Sequence, residues 1–318
     1  MILNEIIENI LSASNIILVT HISPDGDAIG CTIAMYKALK LLKKDVKIFI
    51  DDDIPDVYKF LPNSDKIERP YDKNADIIVV IDCADKDRIG NAQELLKKDI
   101  ISVNIDHHIS NTLYADINYV DTNAASAAEI IYQIIKLLGI NFDSDISTCL
   151  YTAIVTDTGG FMYNSTTAFT HEVAADLINN GAPVSYISDK IFHNITYNKI
   201  KLIGRALDSL KLYKNGKIAC LEITKKDLDE TNSKVSDIEN IVNYGRDING
   251  VEVAILLVEK DDEIKVSLRS KEKVDVNKIA QIFGGGGHIR ASGCSLKNSL
   301  EEAKIQILNK IKDIINEG

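Results

Sequence analysis

Short apolar runs along the chain alternate with segments whose apolar residues recur every three or four positions. "NIILVT" (15–20), "VKIFI" (46–50), "ADIIVVID" (75–82) and "IISVNID" (100–106) are rich in β-branched residues and of strand length. That is the pattern of strands buried on both faces of a parallel sheet. "MILNEIIENIL" (1–11) reads as an amphipathic helix, and the stretch from Asp27, where Ile29, Ile33, Ala34, Tyr36 and Leu39 recur at helical spacing, reads as a second helix. "ASAAEIIYQIIKLLG" (125–139) is a helix ended by Gly139, and "ISTCLYTAIVTDT" (146–158) is another. Residues 167–210 read as helical with a turn at "GAP" (181–183). After that the character changes: "KIACLEI" (217–223), "VEVAILLVE" (251–259) and "IKVSLRS" (264–270) are strands, then come a helix, a glycine-rich loop and a closing helix over "SLEEAKIQILNKIKDIIN".

Alternating strand and helix signals predict an α/β protein. The expected organisation is a mostly parallel N-terminal sheet with flanking helices over 1–185, a helical connector over 186–208, and a smaller C-terminal α/β domain with a mixed sheet over 209–318. At 318 residues with 45% hydrophobic content, the chain is long enough for two cores. Cys31, Cys83, Cys149, Cys220 and Cys294 are scattered and form no CxxC pair, so neither a disulfide framework nor a thiolate zinc site is expected. No basic start or apolar stretch of about 20 residues is present, and a cytoplasmic protein without a membrane segment is expected.

Charge changes the picture, because it is uneven. Residues 1–188 carry 14 Lys+Arg against 27 Asp+Glu, and residues 189–318 carry 22 against 20, so −13 and +2 give the net −11. An acidic N-terminal half disfavours tracking along a long duplex and leaves a short anionic substrate compatible.

The candidate chemistry sits where the strands end. "HISPDGD" places His21, Asp25 and Asp27 after the first strand. "IIVVIDCAD" places Asp82 after a second, "IISVNIDHHIS" places Asp106, His107 and His108 after a third, and "LYTAIVTDTGG" delivers Asp157 at a helix end. An aspartate after a strand is most often a cap or turn former. Here acids and imidazoles recur at one edge of neighbouring strands, the edge where open α/β sheets bind ligands. Crowded carboxylates repel one another and need a cation. Oxygen and imidazole donors without thiolate suit Mn²⁺, with Fe²⁺, Co²⁺ or Mg²⁺ as substitutes, and two divalent ions would cancel four aspartates.

These motifs resemble the DHH phosphoesterase superfamily, named for the triplet that stands here as Asp106, His107 and His108; "HISPDGD", "IDCAD" and "TDTGG" match its other motifs in order and context. The resemblance implies that His21, Asp25 and Asp82 bind one manganese and that Asp27, Asp82, His107 and Asp157 bind the other, with Asp82 bridging. It further implies that His108 faces the substrate phosphate. Asp106 reads as a support that orients its neighbours. Catalysis would rest on Asp82 and His108, by in-line attack of a metal-activated water on phosphorus.

"SLRS" and "GGGGHIRASG" resemble the DHH-associated domain of enzymes that degrade nano-RNA and remove the 3′-phosphate of pAp, and of cyclic dinucleotide phosphodiesterases. The implied substrate contacts are Arg269, Gly285, Gly286, Gly287, His288 and Ser292, with Arg290 adding charge. Ile289 follows the histidine where proline is common. Ser126, at a helix start, could offer N–H groups to a phosphate or simply cap the helix; Arg88 and Arg246 are left between substrate and structural roles.

The leading expectation is a manganese-dependent enzyme that hydrolyses short single-stranded RNA and linear dinucleotides to 5′-mononucleotides and pAp to AMP. The alternatives are a c-di-AMP phosphodiesterase, then a manganese inorganic pyrophosphatase, and last a nucleotide-sensing module without turnover. A homodimer through the helical stretch is a further expectation, as is the absence of long duplex partners.

Overall fold

The computed structural model describes residues 2–68, 75–97 and 100–317. It resolves into two compact units, residues 1–194 and 195–318. The first contains α1 (Ile2–Ser12), β1 (Asn15–Val19), α2 (Gly26–Leu41), β2 (Asp45–Phe49), β3 (Ile67–Glu68), β4 (Ile77–Ile81), β5 (Ile101–Asp106) and β6 (Ile117–Val120). It continues with α3 (Ala127–Leu137), α4 (Ser144–Asp157), α5 (Ala168–Asn179) and α6 (Val184–Ser188). Met1, at the start of the expected first helix, lies outside the described residues.

The six strands run β3-β2-β1-β4-β5-β6, and every pairing is parallel. The first chain to leave β1 goes one way to β2 and a later one returns on the other side as β4. This reversal opens a crevice beyond the carboxyl ends of β1 and β4. Alternate residues of β1 explain its uninterrupted apolar run: Ile16 and Leu18 join the large core beneath α1–α5, while Ile17 and Val19 join a thinner layer with Ile78, Val80, Ile89 and Leu95.

The second unit contains α7 (Tyr197–Asp208), β7 (Lys211–Tyr213), β8 (Ile218–Ile223), α8 (Lys225–Thr231), α9 (Val242–Arg246) and β9 (Val253–Glu259). β10 (Ile264–Ser270), α10 (Val276–Ile282), β11 (Gly286–His288), β12 (Ala291–Leu296) and α11 (Leu300–Glu317) complete it. Its sheet runs β11-β12-β10-β9-β8-β7, with β8 and β9 parallel and the other pairs antiparallel. The sheet is therefore mixed, as expected. Residues 186–208, read as a connector, are divided between the units: α6 and a π turn at Asp189–His193 belong to the first, whereas α7 contributes Leu202, Ile203 and Ala206 to the core of the second.

The glycine run departs from its reading as a loop. Residues 286–288 form the edge strand β11, paired with β12. Two glycines are required there: a Cβ on Gly285 would lie 2.1 Å from the Gly293 carbonyl oxygen, and Gly287 has φ +145 with the Ala291 oxygen 2.6 Å from any Cβ.

Candidate metal centre

His21 follows β1, Asp82 follows β4, and the triplet Asp106, His107 and His108 closes β5, so neighbouring strands deliver them to one edge. Asp25 caps α2, accepting from Ala28 N at 3.0 Å through Oδ1, and its Oδ2 stands 3.9 Å from His21 Nε2. Asp27 lies in the first turn of α2, and Asp157 is the last residue of α4.

Three donor groups have ligand atoms mutually within 4.8 Å: His21, Asp25 and Asp82; Asp27, His107 and Asp157; and Asp82, His107 and His108. Asp82 joins them. Its Oδ2 faces His21 Nε2 at 3.9 Å and its Oδ1 faces His107 Nε2 at 3.5 Å. His107 Nε2 also lies 3.8 Å from Asp27 Oδ2 and 3.5 Å from Asp157 Oδ2. Asp82 Oδ1 is buried without a hydrogen-bond partner among the described residues. A buried carboxylate oxygen in that state calls for a cation.

The backbone and surrounding polar groups set these directions. Asp82 has φ +55, a left-handed conformation uncommon outside glycine, and its N–H donates to Ile105 O at 2.9 Å. His21 Nδ1 faces Ile22 O at 2.8 Å, so Nε2 is the ring atom turned toward Asp25 and Asp82. The same logic holds at His107, whose Nδ1 faces Ala124 O at 3.3 Å. Asp27 accepts Ala127 N at 2.6 Å and Ala128 N at 3.2 Å, and the Cys31 thiol donates to it at 3.1 Å. The N–H groups at the start of α3 therefore point at Asp27, not at a phosphate. Ser126 makes no capping bond, and its hydroxyl is buried without a partner among the described residues.

Asp106 is fully buried and accepts His107 N at 2.8 Å, His108 Nδ1 at 2.7 Å and Asn111 Nδ2 at 2.6 Å. Its oxygens are thus committed to orienting its neighbours. Asn111 also donates to Asn104 Oδ1 at 2.8 Å, and Asn104 in turn donates to Val80 O, Cys83 O and the Tyr114 hydroxyl. The sequence reading missed this network. Its signal was a single Asn inside the apolar β5 run. Asp52, which accepts Ser23 N at 2.7 Å, and Asp51, which accepts Asn91 N at 3.0 Å, were also missed; both pin loops beside the site. The Arg88 guanidinium stands 3.1 Å from His21 Nδ1, at the rim of the cluster.

Burial, and then the neighbouring carboxylates, push Asp27 and Asp82 well above the carboxylate range. Burial and the Asp25 charge bring Asp157 up to about 7. Burial lowers His21 and takes His107 down to about 4, keeping both imidazoles neutral as ligands must be. Burial also opposes charge on His108, but the hydrogen bond and charge of Asp106 outweigh it and the pKa is raised.

In the second unit, β10 and β12 pair so that Arg269 lies opposite Ala291, and His288 of β11 lies on the other side of Ala291. Directly opposed residues share a face, so Arg269, Ala291 and His288 form a row. Gly285 and Gly287 shape the hairpin, and Gly286 lies opposite Gly293. Ser292 is a correction. It pairs with Leu268 on the other face, is buried, and donates its hydroxyl to Val276 O at 2.7 Å, so it fastens α10 to the sheet. Arg290 is likewise engaged within the unit, donating to the carbonyls of Val274 and Glu272.

The model of the DHH family N-terminal domain matches residues 15–154, and that of the DHHA1 domain matches residues 215–317. A Thermus thermophilus protein named bifunctional oligoribonuclease and PAP phosphatase NrnA is 30% identical over 302 residues, covering 94% of this chain and 89% of its own. The Bacillus subtilis protein of the same name is 30% identical, with 92% of each chain covered. A crystal structure of an exopolyphosphatase-related protein from Bacteroides fragilis superposes with TM-score 0.94 at 28% identity, over 99% of this chain and 97% of that one. Among the described residues, no helix is long and apolar enough to cross a membrane. Full-length similarity at this level, joined to the two matched domains, shows that the chain belongs to the DHH family and is a phosphoesterase.

Proposed function

We propose that the chain is a manganese-dependent phosphoesterase that hydrolyses short oligoribonucleotides to 5′-mononucleotides and pAp to AMP. The carrying observation is Asp82, whose two oxygens each face a different imidazole. His21, Asp25 and Asp82 would hold one divalent ion, and Asp27, Asp82, His107 and Asp157 the second. The donors fit: oxygen and nitrogen atoms only, four carboxylates, and one buried carboxylate oxygen left without a hydrogen bond. Bound there, the ions supply an activated water at neutral pH and neutralise charge on the phosphate.

The chain's own groups do the remaining work. His108 is oriented through the bond of its Nδ1 to Asp106, and its raised pKa favours a charged ring that would donate to a phosphate oxygen. Arg269 and His288 supply a cation and a ring on one face of the second sheet for the terminal phosphate or base. The names of the full-length relatives support the substrate classes.

The test is Asp82→Ala with pAp, pApA, a five-mer RNA and c-di-AMP measured side by side in Mn²⁺. Turnover should fall about 10³-fold or more on every substrate the native protein hydrolyses, and calorimetry should show loss of two-ion uptake. Near-native turnover by the variant would overturn the bridging assignment.

A further inference from the structure

The segment that joins β6 to α3 bonds to Asp27 and His107, and among the described residues it bonds to neither His21 nor Asp25. The Ala124 carbonyl faces His107 Nδ1 at 3.3 Å, and the Ala127 and Ala128 N–H groups donate to Asp27 at 2.6 and 3.2 Å. Asp27 and His107 stand with Asp157 in one donor group. The directions of two of its three members therefore depend on how residues 124–128 are held.

An ordinary helix cap does not hold them. The first N–H groups of a helix lack intrahelical partners, and Ser126, at the capping position of α3, makes no capping bond. Two of these N–H groups go instead to Asp27, which for Ala127 lies 100 residues away in the chain. Ala125, Ser126, Ala127 and Ala128 are at most 1% exposed, so solvent does not replace a partner that is lost. The Ala125 N–H donates to Glu129 Oε2 at 3.2 Å, from one turn into the helix. Glu129 is itself 2% exposed, and its Oε1 has no hydrogen-bond partner among the described residues. A buried carboxyl with one oxygen unmatched is a poor choice for stability alone. We infer that Glu129 is a positioning residue of the second ion site, which through Ala125 fixes the peptide groups that aim Asp27 and His107. The inference rests on the two-ion function proposed above and adds what holds one half of it.

The test titrates the native protein, Glu129→Ala, Glu129→Gln and Ile134→Ala with Mn²⁺, by calorimetry and by electron paramagnetic resonance, which reads magnetic coupling between neighbouring ions. Ile134 is fully buried on the same helix, so its truncation controls for lost stability. Glu129→Ala should weaken one of the two binding steps about 10- to 100-fold and leave the other unchanged, with the coupled signal displaced to higher Mn²⁺ by the same factor. kcat on pAp should recover at saturating ion with KM unchanged. Burial pushes the Glu129 carboxyl above its ordinary range, and the neutral amide of Glu129→Gln, which keeps an acceptor for Ala125, should restore both steps. Ile134→Ala should lower Tm in chelator and keep both steps. Two native steps in Glu129→Ala, equal weakening of both, or a Glu129→Gln that binds no better than Glu129→Ala would overturn the role. So would the same one-step loss in Ile134→Ala. Uptake of fewer than two ions by the native protein would overturn the two-ion function itself, and this role with it.

Discussion

At the scale of residues, the clustered acids and imidazoles are held in place by polar groups behind them. Asn111 uses both amide hydrogens, one on Asn104 and one on Asp106, and its oxygen accepts Leu113 N at 2.8 Å. Through Asp106 it fixes the His108 ring. Asn111→Leu leaves Asp106 with one donor fewer and Asn104 Oδ1 unmatched, at a cost of about 2 kcal/mol in stability. Because the imidazole loses its bearing while the metal donors stay, kcat should fall about 10- to 100-fold with manganese stoichiometry by calorimetry unchanged. A KM effect without a kcat effect would remove Asn111 from this role. The donors themselves were legible in the sequence because each acid or histidine interrupts or ends an apolar run. Ser292 and Arg290 were misread for a physical reason: their direction depends on strand register, which pairs Ser292 with Leu268 on the covered face, and no local pattern encodes that pairing.

At the scale of elements, the distance between Asp27 and Asp157 is set by how closely α2 and α4 pack. A Cβ on Gly26 would lie 2.4 Å from Thr156 Oγ1, and one on Gly30 would lie 2.5 Å from the Cys149 carbonyl oxygen and 2.9 Å from Ala153 Cβ. The contacts descend α4 as they ascend α2, so the helices are antiparallel, and the start of one meets the end of the other beside the cluster. Gly30→Ala pushes a methyl against backbone that cannot yield. It should destabilise the protein by about 1–3 kcal/mol in denaturant unfolding and weaken manganese binding together, whereas Gly204→Ala, with open space around its Cβ, should do neither. Most elements were legible from periodicity, since β1, β4 and β5 are unbroken apolar runs and α1 buries Ile6 and Ile10 one turn apart. The edge strand β11 was not. Glycine marks permissive backbone without saying whether it turns or pairs.

For the molecule as a whole, the cluster ties stability to pH. Asp27, Asp82 and Asp157 have raised pKa values in the folded state, so the folded form binds more protons than the unfolded one above the ordinary carboxylate range, and stability must fall as pH rises. His21 and His107, with lowered values, act in the opposite direction only below their unfolded value of 6.5. His108, with a raised value, adds to the fall above it. In chelator, Tm should therefore decline as pH rises above about 6.5, and excess Mn²⁺ should abolish the decline by taking the place of the protons. A Tm that rises over that range in chelator would contradict the crowded, cation-requiring cluster. At this scale the two-part plan was readable from the change in strand pattern after residue 210, while the division at residue 194 was not, because α6 and α7 carry similar helical periodicity on either side of it.

The ligand atoms are contributed by positions as far apart as His21 and Asp157. The outermost of these positions are 136 residues apart, and the donor groups meet only once β1, β4, β5, α2 and α4 have packed together. Under the proposed function, ion supply and completion of the N-terminal fold would form one equilibrium, each tenfold rise in free ion above its dissociation constant adding about 1.4 kcal/mol to the folded side. A cell short of the ion would lose not only turnover but also the population of intact enzyme.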